Sequence, residues 1–195
     1  MNNHLQRLLP YGYLYLVILG VIKETIYYFP LKINILKYSS IMDILISPIA
    51  DIANFPILII FFILLVIGLF FFKKYLLKNP EKKFTRKYLK IKEDEQIKSE
   101  EIEKRADINV IGFFFVMLIC FFLGFGIGGG NKLADKIENG TLNFKKYSQI
   151  LNFNSGETKD VYIIDHNSMY YFYVEKGKKS IEICPIGSIK SIERK

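Results

Sequence analysis

Tryptophan is absent from this chain, and cysteine and histidine occur only twice each. His4 and His166 have no second histidine or glutamate at metal-ligand spacing, so a zinc hydrolase site is not expected. Cys120 lies within an apolar run and Cys184 far away in the tail, a spacing that fits neither a disulfide framework nor a zinc site. Nucleophile-elbow and phosphate-binding-loop motifs are absent too. We therefore predict a protein that is not an enzyme, with no catalytic residue, cofactor or small-molecule substrate.

What the chain has in abundance is uninterrupted apolar sequence. Residues 55–72 form a run of 18 without a polar side chain, and residues 110–130 form a run of 21 without a charged, hydroxyl or amide side chain. Roughly 20 helical residues cross the ~30 Å hydrocarbon core of a bilayer. Buried helices of soluble proteins are usually shorter and keep a polar face. We predict transmembrane helices over about residues 55–72 and 108–128.

A third, interrupted apolar segment lies near the N-terminus, over about residues 11–29. Its apolar centre is short, and tyrosines flank both ends as in the aromatic belts of membrane spans. A cleaved signal peptide is the alternative, but no small-residue cleavage site follows the apolar run. We favour a retained first span.

Residues 31–53 differ from these runs because polar and apolar residues are interspersed. The alternation over residues 31–35 is locally strand-like, and from Ile41 the apolar residues recur at helical spacing. Ser40 to Asp43 has the form of a capping box that opens a helix, which Pro48 would disturb. The pattern indicates an amphipathic segment that lies on the membrane surface or re-enters the membrane.

The segment between the second and third spans, residues 73–107, is strongly charged, with 12 Lys/Arg and 8 Asp/Glu. Lysine and arginine next to span ends mark the cytoplasmic side. This rule predicts a multi-pass protein of the cytoplasmic (inner) membrane with its N-terminus and this loop in the cytoplasm and its C-terminal domain on the periplasmic or extracellular side. Lys73, Lys74 and Lys78 are candidate contacts to lipid headgroups. Topology explains the net charge of +8, so no nucleic-acid partner is expected.

Beyond the glycines at 128–130 the composition is that of a soluble domain, which divides the chain into a membrane domain, residues 1–130, and a β domain, residues 131–195. Asn131 is expected to cap a separate short helix that reaches about Glu138. Five short strands with Gly/Asn turns follow, at residues 147–153, 160–164, 169–175, 180–184 and 189–193. The spacing predicts a β-meander or a small barrel.

Two resemblances accompany this pattern. Five short strands, with Pro185 to Ser188 as a single turn before the last, resemble an SH3-like or Sm-like small barrel. The stretch from Tyr27 to Ile35, followed by Tyr38 and Asp43, is similar to uncharacterised small multi-pass membrane proteins of bacteria. Neither resemblance implies an activity or transfers a site residue.

Ionisable side chains in or beside the spans are the candidate functional residues. Lys23 and Glu24 fall within the first span, and Asp43 and Asp51 could join them in an intramembrane polar site. A structural alternative is that Lys23 extends to the interface while Glu24 pairs with it. Gly124 and Gly128 have the spacing of a helix-packing pair in an apolar helix.

The sequence therefore predicts a non-enzymatic membrane protein that presents a small β domain to a protein partner or to further copies of itself. One alternative is an oligomeric pore or ion pathway that uses the polar site. The other is a membrane effector or regulator of a bacterial defence system, a class with the same general build.

Overall fold

The computed structural model describes residues 3–54, 56–92, 98–144 and 148–194. Helices occupy the first two thirds of the chain, and strands occupy the last third. The helices are α1 (Asn3–Tyr28), α2 (Ile41–Asn54), α3 (Pro56–Lys78), α4 (Lys83–Tyr88) and α5 (Ser99–Glu138). The strands are β1 (Ser148–Phe153), β2 (Thr158–His166), β3 (Tyr170–Glu175), β4 (Ile181–Pro185) and β5 (Ile189–Arg194).

Three helices, α1, α3 and α5, are long and apolar enough to cross a membrane. Their candidate spanning segments are Leu9–Tyr28, Ile57–Lys78 and Ser99–Glu138. These helices contain the three predicted spans except for Phe29, which follows α1 in a turn, and Phe55, which lies outside the described residues. Most large apolar side chains of α3 are exposed, which is the arrangement that a lipid-facing helix requires.

The predicted helix break at Gly128, Gly129 and Gly130 is wrong, because α5 runs without interruption from Ser99 to Glu138. Glycine lowers helix propensity by about 1 kcal/mol relative to alanine, but here it permits close packing. A Cβ at Gly130 would clash with the Tyr27 carbonyl oxygen, and one at Gly126 would lie 3.3 Å from the Lys23 carbonyl oxygen. The glycines therefore let the backbones of α5 and α1 come close together, and packing maintains the helix.

Two neighbouring glycines of α5 give a matched test of this packing. Gly130→Ala is expected to destabilise the protein by about 1–3 kcal/mol because the new methyl group overpacks the α1 contact. Gly128→Ala is the control, since no described atom outside the local backbone lies within 4 Å of its Cβ position. It is expected to be neutral or slightly stabilising. Thermal unfolding of both variants in mild detergent measures the difference, and equal melting temperatures would contradict the packing role of Gly130.

The C-terminal strands form one antiparallel sheet in the order β4-β3-β2-β1-β5. The five predicted strands are confirmed. The predicted turn before the last strand is confirmed as a single 3-10 turn at Ile186–Ser188. Tyr147, the predicted start of the first strand, lies outside the described residues. The sheet is not closed into a barrel, so β4 and β5 are its edges.

The described residues divide into two compact units, Met1–Ile49 with Phe122–Lys195, and Ala50–Phe121. In the first unit, one face of the sheet packs on the ends of α1 and α5. The core of this contact, which we call the docking core, consists of Tyr28, Leu31, Ile35, Leu133, Ile137, Phe172 and Val174. The β sheet is therefore fastened to the helices by a continuous apolar core.

The opposite face of the sheet has its own apolar cluster. Leu151, Val161 and Tyr173 are buried there together with Cys184. Strand β3 therefore contributes alternate residues to two cores, with Phe172 and Val174 towards the helices and Tyr173 away from them. This double burial explains why its sequence, Tyr-Tyr-Phe-Tyr-Val, is apolar at almost every position.

The second unit contains α3, α4 and the N-terminal part of α5. A small apolar cluster of Leu76, Leu89, Ile91 and Ala106 organises part of the charged loop, whose residues 93–97 lie outside the described residues. Lys73 Nζ lies 2.6 Å from Asp107 Oδ1 and 3.3 Å from Glu103 Oε1. Much of the predicted charged loop is thus helical and packed.

Candidate functional site

A buried ion pair lies inside the first candidate span. Lys23 Nζ lies 2.9 Å from Glu24 Oε1, and the two residues are 7% and 8% exposed. Residues adjacent in a helix do not normally face each other. Here both side chains turn towards Ser47 of α2, whose hydroxyl group accepts a hydrogen bond from Lys23 and donates one to Glu24. The three side chains form a closed polar cluster between α1 and α2.

A glycine one turn earlier in α1 brings the two helices together at this cluster. A Cβ at Gly20 would clash with the carbonyl oxygen of Ile44. Gly20 lies three and four residues before Lys23 and Glu24, and Ile44 lies three residues before Ser47. Residues at this spacing share a helix face. The close contact between Gly20 and Ile44 therefore brings the side chains of Lys23 and Glu24 within hydrogen-bond distance of Ser47.

A second polar contact joins the end of α1 to the sheet. The Tyr28 hydroxyl group donates a hydrogen bond of 2.9 Å to Asp165 Oδ2. The register of β2 against β3 shifts between Ile163 and Asp165, so that Asp165 lies opposite Phe172. Since Phe172 faces the helices, this bulge places the Asp165 carboxylate on the same face of the sheet.

The surroundings of Asp165 also affect its acidity. Protein atoms crowd the carboxyl group and raise its pKa, although the residue as a whole retains solvent contact. The hydrogen bonds from Tyr28 and from the backbone N–H of His166 act in the opposite direction but do not outweigh this effect.

Asp43 joins α2 to the turn between β2 and β3. The predicted capping box is confirmed: Asp43 Oδ2 accepts from the Ser40 N–H at 2.9 Å, and the Asp43 N–H donates to Ser40 Oγ at 3.1 Å. The same carboxylate accepts from the Ser168 N–H at 3.0 Å and from the Ser168 hydroxyl group at 2.8 Å. Partial burial alone would raise the pKa of Asp43, but the hydrogen bonds from Ser40 and Ser168 hold it below its ordinary value.

The neighbouring Asn167 strengthens this attachment. Its side-chain N–H donates to the Tyr38 carbonyl oxygen at 3.2 Å and to Ser39 Oγ at 3.3 Å. Asp165 at the end of β2 therefore contacts the end of α1, Asn167 in the following turn contacts the segment between α1 and α2, and Ser168 contacts the first turn of α2.

A separate charged network covers part of the sheet. Glu182 accepts hydrogen bonds from Lys159 and Lys178, both at 3.0 Å, and from the Tyr173 hydroxyl group at 2.9 Å. Burial opposes ionisation of Glu182, but these donors outweigh it and lower the pKa to about 2. Lys178 also lies 2.7 Å from Glu175. Because its charges compensate one another, this network is organised to stabilise the sheet and leaves little free charge for a ligand.

The structure brings only part of the predicted polar site together. Lys23 and Glu24 share the cluster with Ser47, whereas Asp43 binds Ser40 and Ser168, and Asp51 belongs to the second compact unit. Gly124 and Gly128 are exposed, with no neighbouring atom of the described chain within 4 Å of either Cβ position.

The candidate headgroup contacts lie at the end of α3 and differ in their surroundings. Lys73 forms the ion pairs with Glu103 and Asp107 described above, while Lys74 and Lys78 are exposed.

The attachment of the sheet to the helices is the feature that the sequence analysis missed. Tyr28 lies in the predicted aromatic belt of the first span. Asp165 and Asn167 lie in the predicted turn between the second and third strands. The hydrogen-bond partners of these residues lie more than 100 residues away in the chain. The capping box at Ser40 was the available signal for one end of the contact, but nothing in the local sequence pointed to Ser168 as its partner.

Comparison with known proteins gives no assignment of family or activity. No family model matches this chain, no curated protein matches it in sequence, and no solved structure matches it in fold. Within the described ranges, no group of three or more His, Cys, Asp or Glu side chains is placed to hold a metal ion. The interpretation of function therefore depends on the geometry of the chain itself.

Proposed function

We propose that this chain is a non-enzymatic, multi-pass protein of the cytoplasmic membrane that holds a small β sheet rigidly at the membrane surface for interaction with a protein partner or a second copy. The observation that carries the proposal is the docking core. It joins the sheet to the ends of two candidate spans through Tyr28, Leu133 and Phe172. A sheet fixed in this way has a defined orientation relative to the bilayer, as an interaction element requires.

The strand order and the single 3-10 turn before β5 support an SH3-like relationship for the sheet, which is the finer form of this proposal. The positively charged loop after α3 supports an orientation with that loop in the cytoplasm and the sheet on the opposite side. Edge strand β5, whose residues are mostly exposed, is the natural contact element because its backbone has an unpaired edge.

Photo-crosslinking in native membranes tests the interaction. A photoreactive amino acid at Ile192 of β5, which is 37% exposed, is expected to form an adduct with a protein. The matched control is Ile60 of α3, 58% exposed on an apolar helix, which is expected to react only with lipid. Adducts with lipid alone at both positions would contradict an interaction through β5.

The alternative function is an oligomeric pore or ion pathway, or a membrane effector or regulator of a bacterial defence system. It is supported by an ionisable pair buried within a candidate span. The closed arrangement of Lys23, Glu24 and Ser47 favours the first proposal, because each charge already has its partner inside the chain.

A further inference from the structure

A groove of about 700 Å³ lies beside the docking core, within the first compact unit. The segment after α1, the C-terminal end of α5 and strand β4 form its walls. Its lining includes the apolar side chains of Leu31, Ile137 and Ile183. None of the residues identified above as candidate sites lines it.

Three lysines line this groove. Lys32 adopts a left-handed backbone conformation with φ of 60°, Lys37 ends a 3-10 turn, and Lys179 follows the turn after β3. Lys179 Nζ donates to the Glu138 carbonyl oxygen at 2.7 Å. Lys32 and Lys37 are exposed, and neither is within ion-pair distance of a carboxylate among the described residues.

The charge of the lining is therefore positive. Glu138 is the one acidic residue of the lining, against the three lysines. The groove thus combines some apolar side chains with an excess of ammonium groups, and this combination is complementary to an amphiphile with an anionic head.

The position of the groove along α1 identifies the source of such an amphiphile. The candidate span Leu9–Tyr28 has 20 residues, which at about 1.5 Å per residue equals the ~30 Å hydrocarbon core. The lining begins at Pro30, two residues after that span ends. If α1 crosses the bilayer as proposed, the groove opens at the level of the lipid headgroups.

We propose that this groove binds the headgroup of an anionic phospholipid from the surrounding bilayer. The phosphate lies between Lys32, Lys37 and Lys179, and the glycerol backbone rests on the apolar side chains of the lining. The inference depends on the membrane placement of α1 in the proposed function, but not on the interaction through β5.

The test uses the full-length protein in phosphatidylcholine vesicles that contain a photoactivatable phosphatidylglycerol analogue. Labelling is expected in the peptides that contain residues 30–38 and 134–138. The variant Lys32→Asn/Lys37→Gln is expected to lower the affinity for the analogue on the order of 30-fold, from roughly fivefold per lysine at a membrane surface. Asparagine is chosen at position 32 because it tolerates the left-handed conformation.

Two further variants separate loss of binding from loss of folding. Lys32→Arg/Lys37→Arg retains the charges and is expected to keep most of the affinity. Lys190→Gln removes one exposed lysine at the opposite edge of the sheet. That position is about 19 Å from β4 at the usual strand spacing, so labelling is expected to be nearly unchanged.

Three results would overturn the proposal. One is equal labelling of Lys32→Asn/Lys37→Gln and Lys190→Gln, which would show that the groove lysines do not hold the headgroup. Another is full competition by soluble glycerol phosphate, which would identify a site for free phosphate esters. The third is release of the protein from the vesicles by alkaline extraction, which would also contradict the membrane placement of α1. A failure of crosslinking at Ile192 would contradict the interaction through β5 but not the binding of lipid in the groove.

Discussion

Replacing Lys23 with methionine is expected to lower the free energy of unfolding by about 3–5 kcal/mol, because it leaves a buried carboxylate without its counter-charge. Glu24 is 8% exposed, and its nearest cation in the cluster is the Lys23 ammonium group at 2.9 Å. Among the described residues, Lys23 and Glu24 are the charged residues that are buried. Chemical denaturation in mild detergent, followed by the near-ultraviolet signal of the tyrosines, measures the loss.

The double variant Lys23→Met/Glu24→Gln decides whether charge compensation is the cause. It removes both charges, so it is expected to recover much of the stability that Lys23→Met loses. Lys136→Met is the matched control, since Lys136 is exposed on α5, and its effect is expected to stay within about 0.5 kcal/mol. Equal losses in the single and double variants would show that the two charges are not coupled.

The same cluster separates the two candidate functions. If Glu24 belonged to an ion pathway, Glu24→Gln would change ion flux through liposomes that contain the full chain. If the cluster only locks α1 to α2, flux through the variant equals that of the wild type while its stability falls. Stability and flux therefore have to be measured on the same variant.

The second large effect is expected from Phe172→Ala, which should lower the free energy of unfolding by about 3–5 kcal/mol. Phe172 is 1% exposed, and its ring centroid lies 5.3 Å from that of Tyr28 across the junction between sheet and helix. Removal of the ring leaves a cavity in the docking core, which neither a strand nor a helix can close without moving.

Phe29→Ala provides the control for this substitution. Phe29 follows Tyr28 directly but is 78% exposed, so the same truncation creates no internal cavity. Its expected effect is within about 0.5 kcal/mol. An equal loss of stability in both variants would contradict a continuous core between sheet and helices.

By the same reasoning, a fragment that begins at residue 131 would expose Phe172 and Val174, and we expect it to be poorly soluble.

Local sequence was sufficient wherever a structural element depends on its own residues. The long apolar runs predicted helices that can cross a membrane, because only that backbone satisfies its own hydrogen bonds over such a length. Short segments of strand-forming residues between Gly/Asn turns predicted all five strands. The Ser40–Asp43 capping box was also readable, since its two partners lie three residues apart.

Local rules failed at the glycines from 128 to 130. Intrinsic propensity places a helix end there, but contact with Tyr27 and Pro30 of the first unit maintains α5 through them. The stabilising atoms come from a segment about 100 residues earlier, and no window of local sequence contains them. The same limit applies to Ser47, whose partners Lys23 and Glu24 belong to another helix.

The sequence by itself thus determined which segments are apolar helices, which are strands, and where the charges concentrate, because hydrophobic periodicity and turn chemistry act between near neighbours. Only the tertiary structure decided that Tyr28 meets Asp165, that Asp43 holds Ser168, and that a strand bulge turns Asp165 towards the helices. These contacts depend on the packing of the docking core, which sums small contributions from residues far apart in the chain and is therefore not encoded in any one motif.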